Sequence, residues 1–356
     1  MHTKTFVAVA VGLGLVTLSA CGTTNDGGAD SRTVTLVSHD SWAVSKNVLK
    51  DFEKQSGYTV RVLKDGDAGQ AVNKAILTKD NPQGDVFFGV DNTLLSRALD
   101  NGTFQPYEPK DYDRIRPEYR DGTSGHRVTP IDTGDICVNY DKAYFEQHRL
   151  APPRTFDDLV EPRYKDLLVT ENAATSSPGL GFLLGTAAKY GDAGWDAYWK
   201  KLKANGVKVV DGWEQAYDEE FSGSAGGRKA GGDRPLVVSY ASSPPAEVVY
   251  ADPKPATAPT GVAAGTCFRQ IEYAGLLSGA RNSAGGKAFL DFLTGKEFQE
   301  DMPLNMFVYP VRADAAVPQE FRTYGPQAKD PETMAPDRIA ADRDQWVKSW
   351  TSLVLN

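Results

Sequence analysis

From residue 33 onward, short β-branched runs alternate with amphipathic runs of helix length, and few folds accept that alternation. Residues 33–38 (TVTLVS) read as a strand. Residues 44–56 place Val44, Val48, Leu49 and Phe52 at helical spacing, and Gly57 follows as a stop. A strand at 58–63, a helix at 68–77 and a buried-looking strand at 85–90 (DVFFGV) come next. Strands separated by helices predict a parallel α/β sheet. Further strands are expected at 135–140 (DICVNY), 167–170, 207–210 and 236–240 (LVVSY), and one within 262–277. Helices are expected at 156–159, 180–190, 195–203, 285–294 and 296–302, with a last one through 339–354. Residues 223–232 (GSAGGRKAGG) predict a mobile surface loop.

The N-terminus has a different logic. Lys4, an apolar run over 6–18 and the small residues of Leu18-Ser19-Ala20-Cys21 follow the order of a secretory signal. The run falls short of the roughly 20 apolar residues that span a bilayer. A cysteine directly after Leu-Ser-Ala resembles the bacterial lipobox. That implies cleavage before Cys21, lipidation of Cys21 and an exported chain held at the outer face of the cell membrane. An ordinary cleaved signal with an incidental cysteine is the alternative. Residues 1–20 are then signal peptide, and residues 21–31 (CGTTNDGGADS) are anchor and flexible tether.

The 356 residues suffice for two lobes of ordinary domain size. A net charge of -8 without a Lys/Arg run argues against nucleic acid as a partner. Beyond Cys21 only Cys137 and Cys267 remain, either as one disulfide or as two buried thiols. Zinc is not expected, because none of the four histidines stands at ligand spacing with a cysteine pair. Neither a G-x-S-x-G elbow nor a P-loop is present, and His39, His126 and His148 lack sequence partners for catalysis.

In open α/β sheets, ligands bind beyond the carboxyl ends of the strands. Polar and aromatic clusters stand at those places here: His39-Asp40-Ser41-Trp42, Asp91-Asn92, Ser176-Ser177 ahead of Pro178, Asp211-Gly212-Trp213 with Tyr217 after it, Ser239-Tyr240 with Ser242, and Phe307 with Tyr309. Taken singly, each reads as a turn, a cap or core. Jointly they predict a cleft. Trp42, Trp213, Tyr240, Phe307 and Tyr309 offer π faces, Asp40 and Asp91 offer negative charge, and Ser176 and Ser177 offer hydroxyls at a helix N-terminus. That combination suits an aromatic cation with a polar or anionic tail.

These segments resemble the thiamine-binding periplasmic proteins of ABC importers. The likeness runs from about residue 34 to the C-terminal helix. It is carried by 34–42 (VTLVSHDSW), 85–95 (DVFFGVDNTLL), 138–142 (VNYDK), 176–184 (SSPGLGFLL), 211–217 (DGWEQAY), 237–244 (VVSYASSP) and 308–311 (VYPV). The resemblance implies a two-lobed periplasmic-binding-protein fold, type II-like, whose hinge strands let the lobes close on a ligand cleft. It implies lobe 1 over 32–136, lobe 2 over 137–268, a return to lobe 1 over 269–312, and a C-terminal helical segment over 313–356 packing on the lobes. Trp213 and Tyr240 match the family's ring-binding aromatics, and Ser176 and Ser177 the turn that meets the ligand's tail. Asp40, Ser41, Asp91 and Asn92 match its first-lobe polar turns. Two positions depart from the family: His39 stands where tyrosine is common, and Phe307 where tryptophan is common. In such a fold the strands bearing Cys137 and Cys267 cross side by side, which favours a disulfide.

The resemblance implies a lipid-anchored monomer that performs no chemistry, takes no cofactor or metal, and delivers thiamine or a thiamine phosphate to a membrane permease. A receptor for another cation such as a polyamine is the alternative among binding proteins. An exported thiamine-degrading enzyme is the alternative in another class, and would need a cleft cysteine with an acidic base.

Overall fold

The computed structural model describes residues 32–120, 122 and 124–356. The predicted signal, Cys21 and the tether lie outside the described residues.

Among the described residues, ten strands form one sheet. They are β1 (Thr33–Ser38), β2 (Thr59–Lys64), β3 (Val86–Asp91), β4 (Phe104–Gln105), β5 (Thr129–Asp141), β6 (Leu168–Glu171), β7 (Lys208–Val210), β8 (Leu236–Tyr240), β9 (Thr260–Leu277) and β10 (Tyr309–Pro310). The order is β2-β1-β3-β9-β5-β8-β6-β7, with β4 on β9 and β10 on β5. β1 pairs in parallel with β2 and β3, and β6 pairs in parallel with β7 and β8. Between these two parallel groups runs the long antiparallel pair β5 and β9, in register from Thr129↔Ala274 to Asp141↔Thr260. β5 and β9 each belong to both halves, because β9 also pairs with β3 and β5 also pairs with β8.

The sequence explains the burial. Every residue of β3 is buried, as expected of a parallel-sheet strand covered on both faces. Helix Ser177–Tyr190 opens with Pro178 in its first turn and is buried from Ser177 to Ala187, so it is apolar all round. Helix Pro336–Val354 closes the back of the molecule. Its Trp350 meets Trp199 edge to face at 5.4 Å, and both indoles are fully buried. That helix touches helix Leu95–Asp100 in one half and helix Trp195–Ala204 in the other.

Two elements differ from expectation. β5 begins at Thr129, not 135. Residues 129–134 (TPIDTG) lack a β-branched run, and pairing with β9 makes them a strand. Within 223–232, residues Ala225–Ala230 form a helix instead of a mobile loop. Ser224 caps it on the N–H of Gly227, and the glycine lets the turn lie against the chain: a Cβ at Gly227 would stand 1.9 Å from the carbonyl oxygen of Phe221.

Cys137 and Cys267 are joined by a disulfide across β5 and β9, with Cα atoms 4.2 Å apart. The bridge lies at an irregularity in the pairing, between Ile136 and Val138.

Candidate functional site

A cleft of about 370 Å³ opens where the carboxyl ends of the two parallel groups face each other. The turn after β1 contributes His39, Asp40 and Ser41, and the start of helix Ala68–Leu77 contributes Asp67 and Gln70. From the other half come Ser177, the turn after β7 with Asp211 and Trp213, and Tyr217. Tyr240 at the end of β8, Gln270 and Glu272 on β9, and Phe307 complete the wall.

The aromatic side is fixed from behind. The indole N–H of Trp213 donates to Ser239 Oγ at 2.9 Å, and that oxygen lies 2.9 Å from Ser243 Oγ. The Trp213 ring stacks on Tyr217 at 4.9 Å and 13°, and Tyr240 stands tilted 6.4 Å away. Tyr217 donates its hydroxyl to Glu247 at 3.2 Å. Burial pushes the Tyr240 hydroxyl well up, and Glu272, Asp91 and Asp67 add to the shift. Tyr240 is therefore a neutral π face. Phe307 lies opposite in the left-handed region at φ +56°, stacked on Phe321 at 5.9 Å. A bulky residue there is strained, a feature that concentrates at ligand sites.

The lining is also acidic: Asp40, Asp67 and Glu272 stand on it, and Asp211, Glu214 and Glu219 flank Trp213. His39 Nε2 lies 3.2 Å from Glu272 Oε1. Burial works to lower the pKa of His39, but Glu272 overcomes it, with help from Asp67 and Asp40, and the imidazole sits above its ordinary value. Gly89 makes room for this ring. It bulges out of register in β3 at φ +111°, and a Cβ there would stand 2.4 Å from His39 Cδ2. Beneath the floor, burial raises Asp91, even though it accepts hydrogen bonds from Thr93 and Gln270, the latter at 2.7 Å. Burial also raises Asp132 well above the usual carboxylate range, and Glu272 and Asp91 push the same way.

Contacts already bridge the mouth. The N–H of Trp213 donates to Asp67 Oδ2 at 2.8 Å, and the N–H of Gln70 donates to the Thr175 carbonyl at 3.0 Å.

Of the residues singled out from sequence, His39, Asp40, Ser41, Ser177, Trp213, Tyr217, Tyr240 and Phe307 come together on the cleft. The others lie behind or away from it. Trp42 packs in the core with Val34 and Phe52. Asp91 holds Gln270, and Asn92 ties β9 through the Arg269 carbonyl and the Ile271 N–H. Ser176 stands just ahead of its helix, Ser239 braces Trp213, and Ser242 is buried. Tyr309 donates its hydroxyl to the carbonyls of Phe321 and Gly325, beside Asp135 and Arg269.

Sequence reasoning placed Asp211 in the strand-end cluster with Trp213 but missed Asp67, Glu214, Glu219, Gln270 and Glu272. Gln270 and Glu272 did leave a signal. They stand two apart on one face of β9, on either side of the apolar Ile271, and both are buried. Among the described residues, no group of three His, Cys, Asp or Glu side chains has the geometry to hold a metal.

Comparison with known proteins agrees with this architecture. Residues 81–244 match the bacterial extracellular solute-binding protein family. A thiamine-binding periplasmic protein of Salmonella typhimurium is 29% identical over 325 residues, covering 90% of this chain and 93% of that protein. One from Brucella suis is 28% identical over 327 residues, covering 89% of this chain and 91% of its own length. A solved periplasmic thiamin binding protein superposes with a TM-score of 0.76 at 26% identity, over 90% of this chain and 96% of that one. The ferric binding protein of Campylobacter jejuni, at 18% identity and a TM-score of 0.70, shares the fold. Family match, near full-length relatives and fold agree: the chain is similar to the bacterial extracellular solute-binding proteins and, among them, to thiamine-binding periplasmic proteins.

Proposed function

We propose that this protein captures thiamine in the cleft and hands it to the membrane permease of an ABC importer. The observation that carries the reading is one cleft whose lining joins braced aromatic faces (Trp213, Tyr217, Tyr240) to carboxylates (Asp40, Asp67, Asp211, Glu272). Thiamine is two flat rings, one of them a thiazolium cation, with a short hydroxyethyl tail. Flat cations bind aromatic faces and carboxylates together. The protein is a binding component of a transporter, not an enzyme. The bonded Cys137 and Cys267 leave neither thiol as a cleft nucleophile.

In this reading residues 32–136 with 269–312 form one lobe and residues 137–268 the other, the C-terminal segment packs across both, and the chain acts as a monomer. Calorimetry with thiamine is the test. Trp213→Ala and Tyr240→Ala should each weaken binding by roughly 1–3 kcal/mol, about five- to a hundredfold. Unchanged affinity in both folded variants removes them from the site. A linear polyamine that binds more tightly than thiamine would shift the assignment to the other cation class.

Lipidation of Cys21 would hold the receptor beside its permease. Cys21→Ala should then move the protein from the membrane fraction into the soluble one, and a variant that stays membrane-bound refutes the anchor.

A further inference from the structure

The cleft carries a titratable cation of its own. Among the described residues, His39 is the one basic side chain in the lining, and its Nε2 lies 3.2 Å from Glu272 Oε1. Only 15% of the His39 side chain and 10% of the Glu272 side chain reach solvent. The ring has little room to swing away. Phe88 stands 5.6 Å from it, and a Cβ at Gly89 would stand 2.4 Å from His39 Cδ2.

Three elements aim carboxylates at this imidazole: Glu272 from β9, Asp67 from the start of helix Ala68–Leu77, and Asp40 from the turn after β1. Burial opposes charge on the ring, and these three outweigh it. Burial raises Asp67 as well, and it raises Asp91 and Asp132 behind Glu272. Neither Asp91 nor Asp132 lines the cleft, so Glu272 is the acid of this floor that a ligand meets. The basic groups nearby are engaged elsewhere. Lys64 donates to the Asp40 backbone carbonyl, Lys74 pairs with Asp65, and Arg269 pairs with Asp135.

A cationic ring entering the cleft meets the carboxylate that the imidazolium already occupies. Two positive charges sharing Glu272 in a partly desolvated site repel, and one of them can leave. The thiazolium charge is permanent, whereas the imidazolium charge is a proton. Given the thiamine reading, on which this step rests, we infer that capture is an exchange of cations: thiamine enters beside Glu272, and His39 releases its proton to the solvent, at most one for each thiamine bound. Linkage is reciprocal, so thiamine lowers the pKa of His39 and rising pH tightens thiamine. The affinity climbs between the pKa of the liganded protein and the higher one of the empty protein, by at most about tenfold per pH unit, and is flat outside that window. The tyrosine that the resemblance implies at this position has no proton to exchange near neutral pH.

The test is calorimetry of the protein with thiamine at pH 6, 7 and 8, each in two buffers of different ionisation enthalpy, beside His39→Gln. The difference between buffers counts the protons released. The parent should release about half a proton or more at its maximum, and bind at least about tenfold more tightly at pH 8 than at pH 6. His39→Gln keeps an N–H for Glu272 without the titration, and its affinity should change less than about threefold over the same range. Release that is absent, reversed in sign or equal in His39→Gln overturns the inference, the last by placing the proton on Asp67, Asp40 or the pyrimidine of thiamine. Each of those results leaves the thiamine reading standing, whereas no binding of thiamine at any of the three pH values overturns both. Should His39→Gln not fold, the imidazole resonances of the unaltered protein decide. One histidine should titrate at lower pH with thiamine than without it, and histidines that all titrate unchanged overturn the exchange.

Discussion

Glu171 shows how sharply single residues are constrained here. It ends β6 fully buried, and neither carboxylate oxygen has a partner beyond its own residue. Burial pushes its pKa well above the usual carboxylate range, and Asp67 adds to the shift. The folded chain thus holds a proton there that the unfolded chain releases. The stability this proton contributes is fully present below the ordinary glutamate pKa and is lost as pH rises towards the folded value. Glu171→Met keeps the length of the side chain without the charge. It should stabilise the fold at pH 7 by about 1–3 kcal/mol, with less effect at pH 4. Thermal unfolding of both proteins at the two pH values is the check, and equal stability at pH 7 refutes the argument. The same burial explains what the sequence hid at this scale. Trp213 and Tyr240 were legible because strand-end turns advertise themselves. Asp67 reads as an ordinary residue ahead of a helix, and Glu272 as a stray charge within a strand. Trp42 stands beside a legible turn, yet its indole turns into the core with Phe52.

At the level of elements, legibility followed local physics. Helix Ala68–Leu77, the short helix Phe156–Leu159 and β8 stand where periodicity and breakers place them. Phe156–Leu159 owes this to a capping box between Thr155 and Asp158, a signal contained in four residues. β5 owes its first six residues to β9, more than 130 positions away, so no window along the chain reports them. Residues 223–232 failed in the opposite direction. Their glycines look like freedom, but they permit close packing against the turn at Gln215–Glu220. The disulfide needed the topology as well. Two cysteines 130 residues apart carry no pairing information until β5 and β9 lie side by side. Once there, the bridge sits beside Ser239, which pairs with Cys137 on β8 and holds Trp213. It closes a long loop in the unfolded chain, an arrangement typically worth about 2–4 kcal/mol.

For the molecule as a whole, the question is what moves. β5 and β9 span both halves, and the bridge at Cys137 and Cys267 ties them at mid-length. Behind them, helix Pro336–Val354 braces the two sides. In front, few polar contacts hold the mouth: Trp213 to Asp67, Gln70 to Thr175, Ser41 to Glu214 at 3.5 Å, and Tyr250 to Leu304 at 3.1 Å. A single hydrogen bond contributes only about 1 kcal/mol net, so these few should let the empty cleft open readily. A ligand that touches both walls binds the closed form better than the open one, and shifts the population by that difference alone. Hydrogen exchange separates the two regions. With thiamine at about a hundred times its Kd, amide exchange at Gln70 and Trp213 should slow by up to about a hundredfold. Amides along the pairing of β5 and β9 should change far less, because a hinge keeps its hydrogen bonds while the lobes turn. Equal slowing everywhere would mean that thiamine stabilises the whole fold without closing it. No slowing at Gln70 and Trp213 would mean that the mouth stays shut without ligand, and either result refutes closure about these strands.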